Sequence, residues 1–208
     1  MMARREFLRG ACLLPAAACV ATRAHACGLD GNFDGGIGFI HPRAIEVALA
    51  VRKAVTDEIL PTTALAPLKA GPESLWSATG ALTRFGHRLV ASPRLSPLTK
   101  PNIALLVSNA TLWTRYAANS EGFSTSIHAM GPMLGDIEVI SELAVLIAIN
   151  DAQLPMKEAL ARGLLIIDAR GALAQHVTEL FTKSFAETTL SAPLNIEDRT
   201  AWRRPARN

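Results

Sequence analysis

Five side chains within fifteen residues are of types that bind metals: Cys27, Asp30, Asn32, Asp34 and His41. The run Asp30-Gly31-Asn32-Phe33-Asp34-Gly35 repeats the opening of a calcium loop, Asp-x-Asn-x-Asp-Gly. Oxygen donors at alternate positions, with glycine at the sixth, let a chain wrap around a hard cation. Ile37 stands at the eighth position, where such loops carry a branched apolar residue. The twelfth position is His41 instead of a bidentate glutamate, so an intact calcium hand is not expected. With the Cys27 thiolate and the His41 imidazole included, the set suits a borderline metal such as zinc or copper. The plain alternative is a turn cluster in which Asp and Asn bond their own backbone.

A second set, His128, Met130 and Met133, combines imidazole and thioether, the donors that suit Cu(I). On a strand His128 and Met130 would share one face, although methionine serves equally as core filling. Catalytic chemistry finds little support. Ser108, Ser124 and Ser126 sit in no Gly-x-Ser-x-Gly elbow. Cys27 could form a thiol nucleophile pair with His41, His87, His128 or His176, but a lone cysteine beside the cleavage site speaks against it. Gly35-Gly36-Ile37-Gly38 lacks both the preceding strand and the lysine of a phosphate loop. The expectation is a protein without catalysis of its own.

The elements that must position these residues are helices first, then strands mixed with helices. His41-Pro42 opens a helix over 43–60, closed by Pro61, with Ile45, Ala48, Leu49 and Val55 as its buried part. Leu75, Ala78, Leu82, Phe85 and Leu89 predict a second helix over 73–91, interrupted only by Gly80 and Gly86. After a proline-rich linker, 92–101, Ile103–Val107 reads as a fully buried strand, and Leu112–Tyr116, Ser124–Met130 and Asp136–Ile140 as further strands. Gly131-Pro132 and Gly135 supply a turn between the last two. Short helices are expected over 142–150 and 156–162, a strand at 164–167 and a last amphipathic helix carrying Leu173, Val177, Leu180 and Phe181. Trp76, Trp113 and Tyr116 read as core or rim packing, and His87 and His176 as surface residues. The fold class is α/β (α+β): N-terminal helices packed on a small mixed sheet, with helices in the C-terminal half.

The start of the chain resembles a bacterial twin-arginine export signal, in the sequence Arg4-Arg5-Glu6-Phe7-Leu8. An apolar stretch of Ala11–Ala21 and a small-residue cleavage pattern, Ala24-His25-Ala26, follow it. The resemblance implies a periplasmic protein exported already folded, often with a metal or cofactor in place. The apolar run is too short for a membrane anchor, which needs roughly 20 residues. Lipidation at Cys27 would need a different pattern before the cysteine. Removing residues 1–26, with four Arg and one Glu, from a chain of 21 basic and 18 acidic residues leaves 17 of each. The formal +3 of the whole chain thus vanishes, and with it any case for nucleic-acid binding. Cys12 and Cys19 lie in the signal, so Cys27 has no internal disulfide partner. A single domain over 27–190 is expected, composed of the 27–41 loop, a helical part at 42–91 and a strand–helix part at 102–185. The tail, 191–208, is expected to be disordered.

Residues 136–168 resemble the closing segment of sterol carrier protein-like domains. An apolar helix (Leu143, Val145, Leu146, Ile149) leads through Leu154-Pro155 to a short helix, Glu158-Ala159-Leu160, then Gly163 and the strand Leu164–Ile167. Pro155 would start the short helix and Gly163 would close it in a left-handed conformation. The family's glycine between the helices is Ala152 here, and the antiparallel sheet before this segment is shorter. The resemblance implies an apolar ligand or lipid held beside the sheet. Two functions therefore stand side by side: a periplasmic binding or accessory protein holding a divalent metal or copper for a redox enzyme, and a carrier of an apolar small molecule.

Overall fold

The computed structural model describes residues 41–69, 71–90 and 100–186. Helix α1 (Ala44–Thr56) is followed by a 3-10 turn at Thr62–Leu65 and by α2 (Pro72–Val90). Strands β1 (Ile103–Val107), β2 (Leu112–Asn119), β3 (Gly122–Ala129) and β4 (Ile137–Ser141) come next. The chain continues through α3 (Leu143–Asn150), α4 (Met156–Ala161), β5 (Leu165–Asp168) and α5 (Gly171–Ser184). The five strands form one mixed sheet in the order β3-β2-β1-β4-β5. Its centre, β1 with β4, is parallel; β1 with β2, β2 with β3 and β4 with β5 are antiparallel. The expected α+β class and a small mixed sheet are what is found.

The central strand β1 is buried along its whole length, as an unbroken Ile-Ala-Leu-Leu-Val run requires when both sheet faces are covered. On one face Tyr116 of β2 is wholly buried and donates its hydroxyl to the Leu82 carbonyl of α2 at 2.8 Å. Burial pushes that hydroxyl's pKa upward. α5 joins α2 there through an edge-to-face contact of Phe85 and Phe181, centroids 5.6 Å apart. α3 is fastened to α2 by Asn150 Nδ2 and Arg88 Nη1, which donate to the Ala81 and Ile149 carbonyls. The opposite face receives α1 over β4.

α1 corrects two expectations. It ends at Thr56 instead of 60, because Glu58 turns left-handed at φ 58°. Its buried side chains are Ala44, Val47, Val51 and Ala54, while Ile45 and Leu49 are exposed. Ile45 and Leu49 share the outward side with Glu46, Arg52 and Lys53, and the sheet meets the smaller residues, which allow close approach. α2 runs unbroken through Gly80 and Gly86. Trp76 is 71% exposed and belongs to neither core nor rim, and His176 keeps its Nε2 buried without a partner. The linker at 92–99 and the tail lie outside the described residues.

The connection between β3 and β4 is not a hairpin turn. Ala129 lies beside Trp113, at one end of the sheet, and Ile137 beside Ile103, at the other. Residues 130–136 therefore cross β2 and β1. They do so over the face that bears α1, because Arg115, which alternates with Tyr116, clamps the Asp136 carboxylate from β2.

Candidate functional site

Where the parallel strands β1 and β4 end, polar groups link neighbouring segments. Ser108 Oγ donates to the Ser141 carbonyl at 3.2 Å, and Ser141 Oγ donates to the Leu164 carbonyl at 2.9 Å. Asn109 Oδ1 accepts the Leu143 amide at 3.2 Å, satisfying one of the unpaired N–H groups that open α3. The Asn109 amide group thus keeps its NH2 as a donor. Carboxyl ends of parallel strands are where open α/β sheets generally form their binding crevices.

A cleft of about 260 Å³ opens at this place. One wall is α3, through Leu143, Ala144, Ile147 and Ala148; the other is Pro61–Leu68, through Pro61, Thr63, Ala64, Ala66 and Leu68. Its polar lining is confined to Thr63, Ser77, Asn109 and Gln153, so no ionisable side chain lines it. A shallower depression of about 530 Å³ shares Thr63, Ala66 and Leu68 and continues to the start of α2 at Pro72–Ser74; unlike the cleft, it carries charged side chains, Lys69 and Glu73. Glu142, the residue before α3, is itself buried, and desolvation pushes its carboxyl above the usual carboxylate range. An uncharged, mostly apolar cleft with a few hydrogen-bonding groups can hold a neutral ligand; it offers nothing to compensate a buried charge. This cleft was not legible in the sequence, since its walls lie about 80 residues apart in the chain.

Of the five proposed metal ligands, Cys27, Asp30, Asn32 and Asp34 lie outside the described residues, and only His41 is placed. His41 is buried, with Nδ1 accepting the Arg43 backbone N–H at 3.1 Å. That leaves the proton on Nε2, which faces Glu138 Oε2 at 3.2 Å and Asp168 Oδ2 at 3.6 Å. Arg43 Nε reaches the second oxygen of Asp168 at 3.4 Å. Both ring nitrogens are therefore engaged in holding the start of α1 against β4 and β5. Binding a metal through His41 would mean displacing one of these partners. Among the described residues no three His, Cys, Asp or Glu side chains are placed to hold a metal.

The His128, Met130 and Met133 set is rearranged by a bulge. Ile127 pairs with Thr114 and Ala129 with Trp113, so His128 is the extra residue, left-handed at φ 63°. The expected sharing of a strand face by His128 and Met130 does not hold, because the bulge breaks the alternation and β3 ends at Ala129. Met130 and Met133 stand exposed on the crossing loop. Ser108 is committed to Ser141, and Ser124 Oγ to the Ala117 carbonyl.

No protein family, curated protein or solved structure matches this chain. Among the described residues no helix is long and apolar enough to cross a membrane.

Proposed function

We propose that this is a non-catalytic binding protein of the periplasm that carries a small, neutral, largely apolar molecule in the cleft between Pro61–Leu68 and α3. One observation carries the reading: the cleft combines apolar walls with neutral hydrogen-bonding groups and no ionisable lining. A ligand with a hydrocarbon body and a hydroxyl, ester or amide end matches that lining; a carboxylate or ammonium does not. The periplasmic setting is supported by the Arg4-Arg5-Glu6-Phe7-Leu8 pattern alone.

Native mass spectrometry with elemental analysis, on protein purified from a periplasm without denaturation, tests it. The expected result is an apolar adduct on the wild type that is lost in Ala66→Trp and in Ala144→Phe, which fill the cleft from opposite walls. A bare mass on the wild type would overturn the reading. A stoichiometric metal without an apolar adduct would return attention to Cys27, Asp30, Asn32 and Asp34 and to a redox enzyme as the partner.

A further inference from the structure

The crossing loop between β3 and β4 has an unusual balance of buried and exposed groups. Asp136, its last residue, has a fully shielded side chain that accepts two hydrogen bonds from Arg115, at 2.8 and 3.0 Å. The same carboxylate accepts the Met133 amide at 2.9 Å, and the Asp136 amide donates back to the Met133 carbonyl at 3.0 Å. Gly131 and Gly135, at φ 140° and 89°, provide the bends that this closed turn needs. The loop is thus held in one shape from below. What it presents is apolar: Met130 is 71% and Met133 60% exposed, and Leu134 is fully exposed. Single exposed apolar residues are ordinary, but three within five positions on a fastened turn are not.

From these observations we infer that residues 130–134 form a tip that docks on a lipid bilayer. The choice of a bilayer over a protein rests on area and chemistry. Three side chains bury on the order of a few hundred Å², against roughly 800 Å² per partner in a specific protein interface. Residues 129–135 carry no charged side chain, and the charges at their base, Arg115 and Asp136, neutralise each other. Such a tip has little with which to recognise a protein surface, yet it meets the requirement for shallow insertion among headgroups and acyl chains. Because the Arg115–Asp136 clamp has already ordered the loop, insertion entails little further loss of conformational freedom.

Flotation of the full chain with vesicles of phosphatidylcholine, and of phosphatidylcholine with phosphatidylglycerol, at low and high salt, tests the inference. The wild type should float with both compositions, with little dependence on salt, as insertion rather than charge attraction predicts. The double variant Met133→Ser/Leu134→Ser should partition roughly 100-fold more weakly with an unchanged melting temperature, and Leu134→Phe should bind like the wild type. The N-terminal apolar stretch is present in every variant, so the difference isolates the tip. Wild-type protein that stays in the buffer, or a double variant that floats equally well, would overturn it. Floating only with the anionic vesicles at low salt would also overturn it, as would self-association abolished by the same double substitution.

Discussion

Gly86 stands where α2 passes over β2 and β3, and a Cβ there would meet Thr125 Oγ1 at 2.6 Å and Tyr116 Cε1 at 2.9 Å. Gly86→Ala is therefore expected to destabilise the fold by about 1–3 kcal/mol despite its better helix propensity, read by thermal or urea unfolding. Ala152 poses the opposite case. It sits between α3 and α4 at φ 56°, a conformation that disfavours any residue with a Cβ. Ala152→Gly should stabilise by about 0.5–1 kcal/mol, and an unchanged or lower midpoint would refute the assignment of strain. Gly163, by contrast, already has glycine in its left-handed position at φ 69°, closing α4 before β5 as its place in the sequence predicted. Such local conformations are partly legible in a sequence because the residue types that tolerate them are few. At Ala152 the residue type itself gives no such signal, since alanine ordinarily favours helix; only the resemblance, with glycine at this place, points to the bend.

The crossing loop is an element whose shape depends on one ion pair. Burial by itself raises the pKa of the Asp136 carboxyl; the Arg115 hydrogen bonds, the Met133 amide and the Arg115 charge outweigh it and hold the group below the usual carboxylate range. A carboxyl with a lowered folded-state pKa stabilises fully above its unfolded value, near pH 4, and loses that contribution as the pH falls through the folded value. Asp136→Asn should therefore lower the melting temperature by a few degrees at pH 7, with the gap from the wild type closing below about pH 4. A gap that persisted at pH 2 would show that the clamp does not act through the ionised carboxylate. Neither the loop's path nor the bulge at His128 was legible in the sequence. Gly131-Pro132 and Gly135 indicate only that the chain bends there, and the pairing of β4 with β1 instead of β3 is a long-range choice.

At the scale of the molecule, the sheet is a partition: α1 lies on one face, with α2 and α5 on the other, and the cleft opens at the end where β1 and β4 both stop. A ligand bound there links α3 to the Pro61–Leu68 segment and stabilises the folded state by mass action. With 1-decanol as a neutral probe near 100 times its dissociation constant, the melting temperature should rise by roughly 5–10 °C; Ala66→Trp and Ala144→Phe should remove the shift. The sequence by itself determined the helices and strands, the fully buried β1 and the α+β class, because hydrophobic period, proline and glycine placement act over a few residues. It offered His41 as a metal ligand. Only the tertiary structure decided what His41 does, engaged with Glu138 and Asp168 from strands about 100 and 130 positions away. The same holds for the face that α1 buries and for the cleft, whose walls meet only once the sheet has formed. Those features rest on contacts between distant segments, chosen by packing and by the satisfaction of buried polar groups, and local pattern carries no record of that choice.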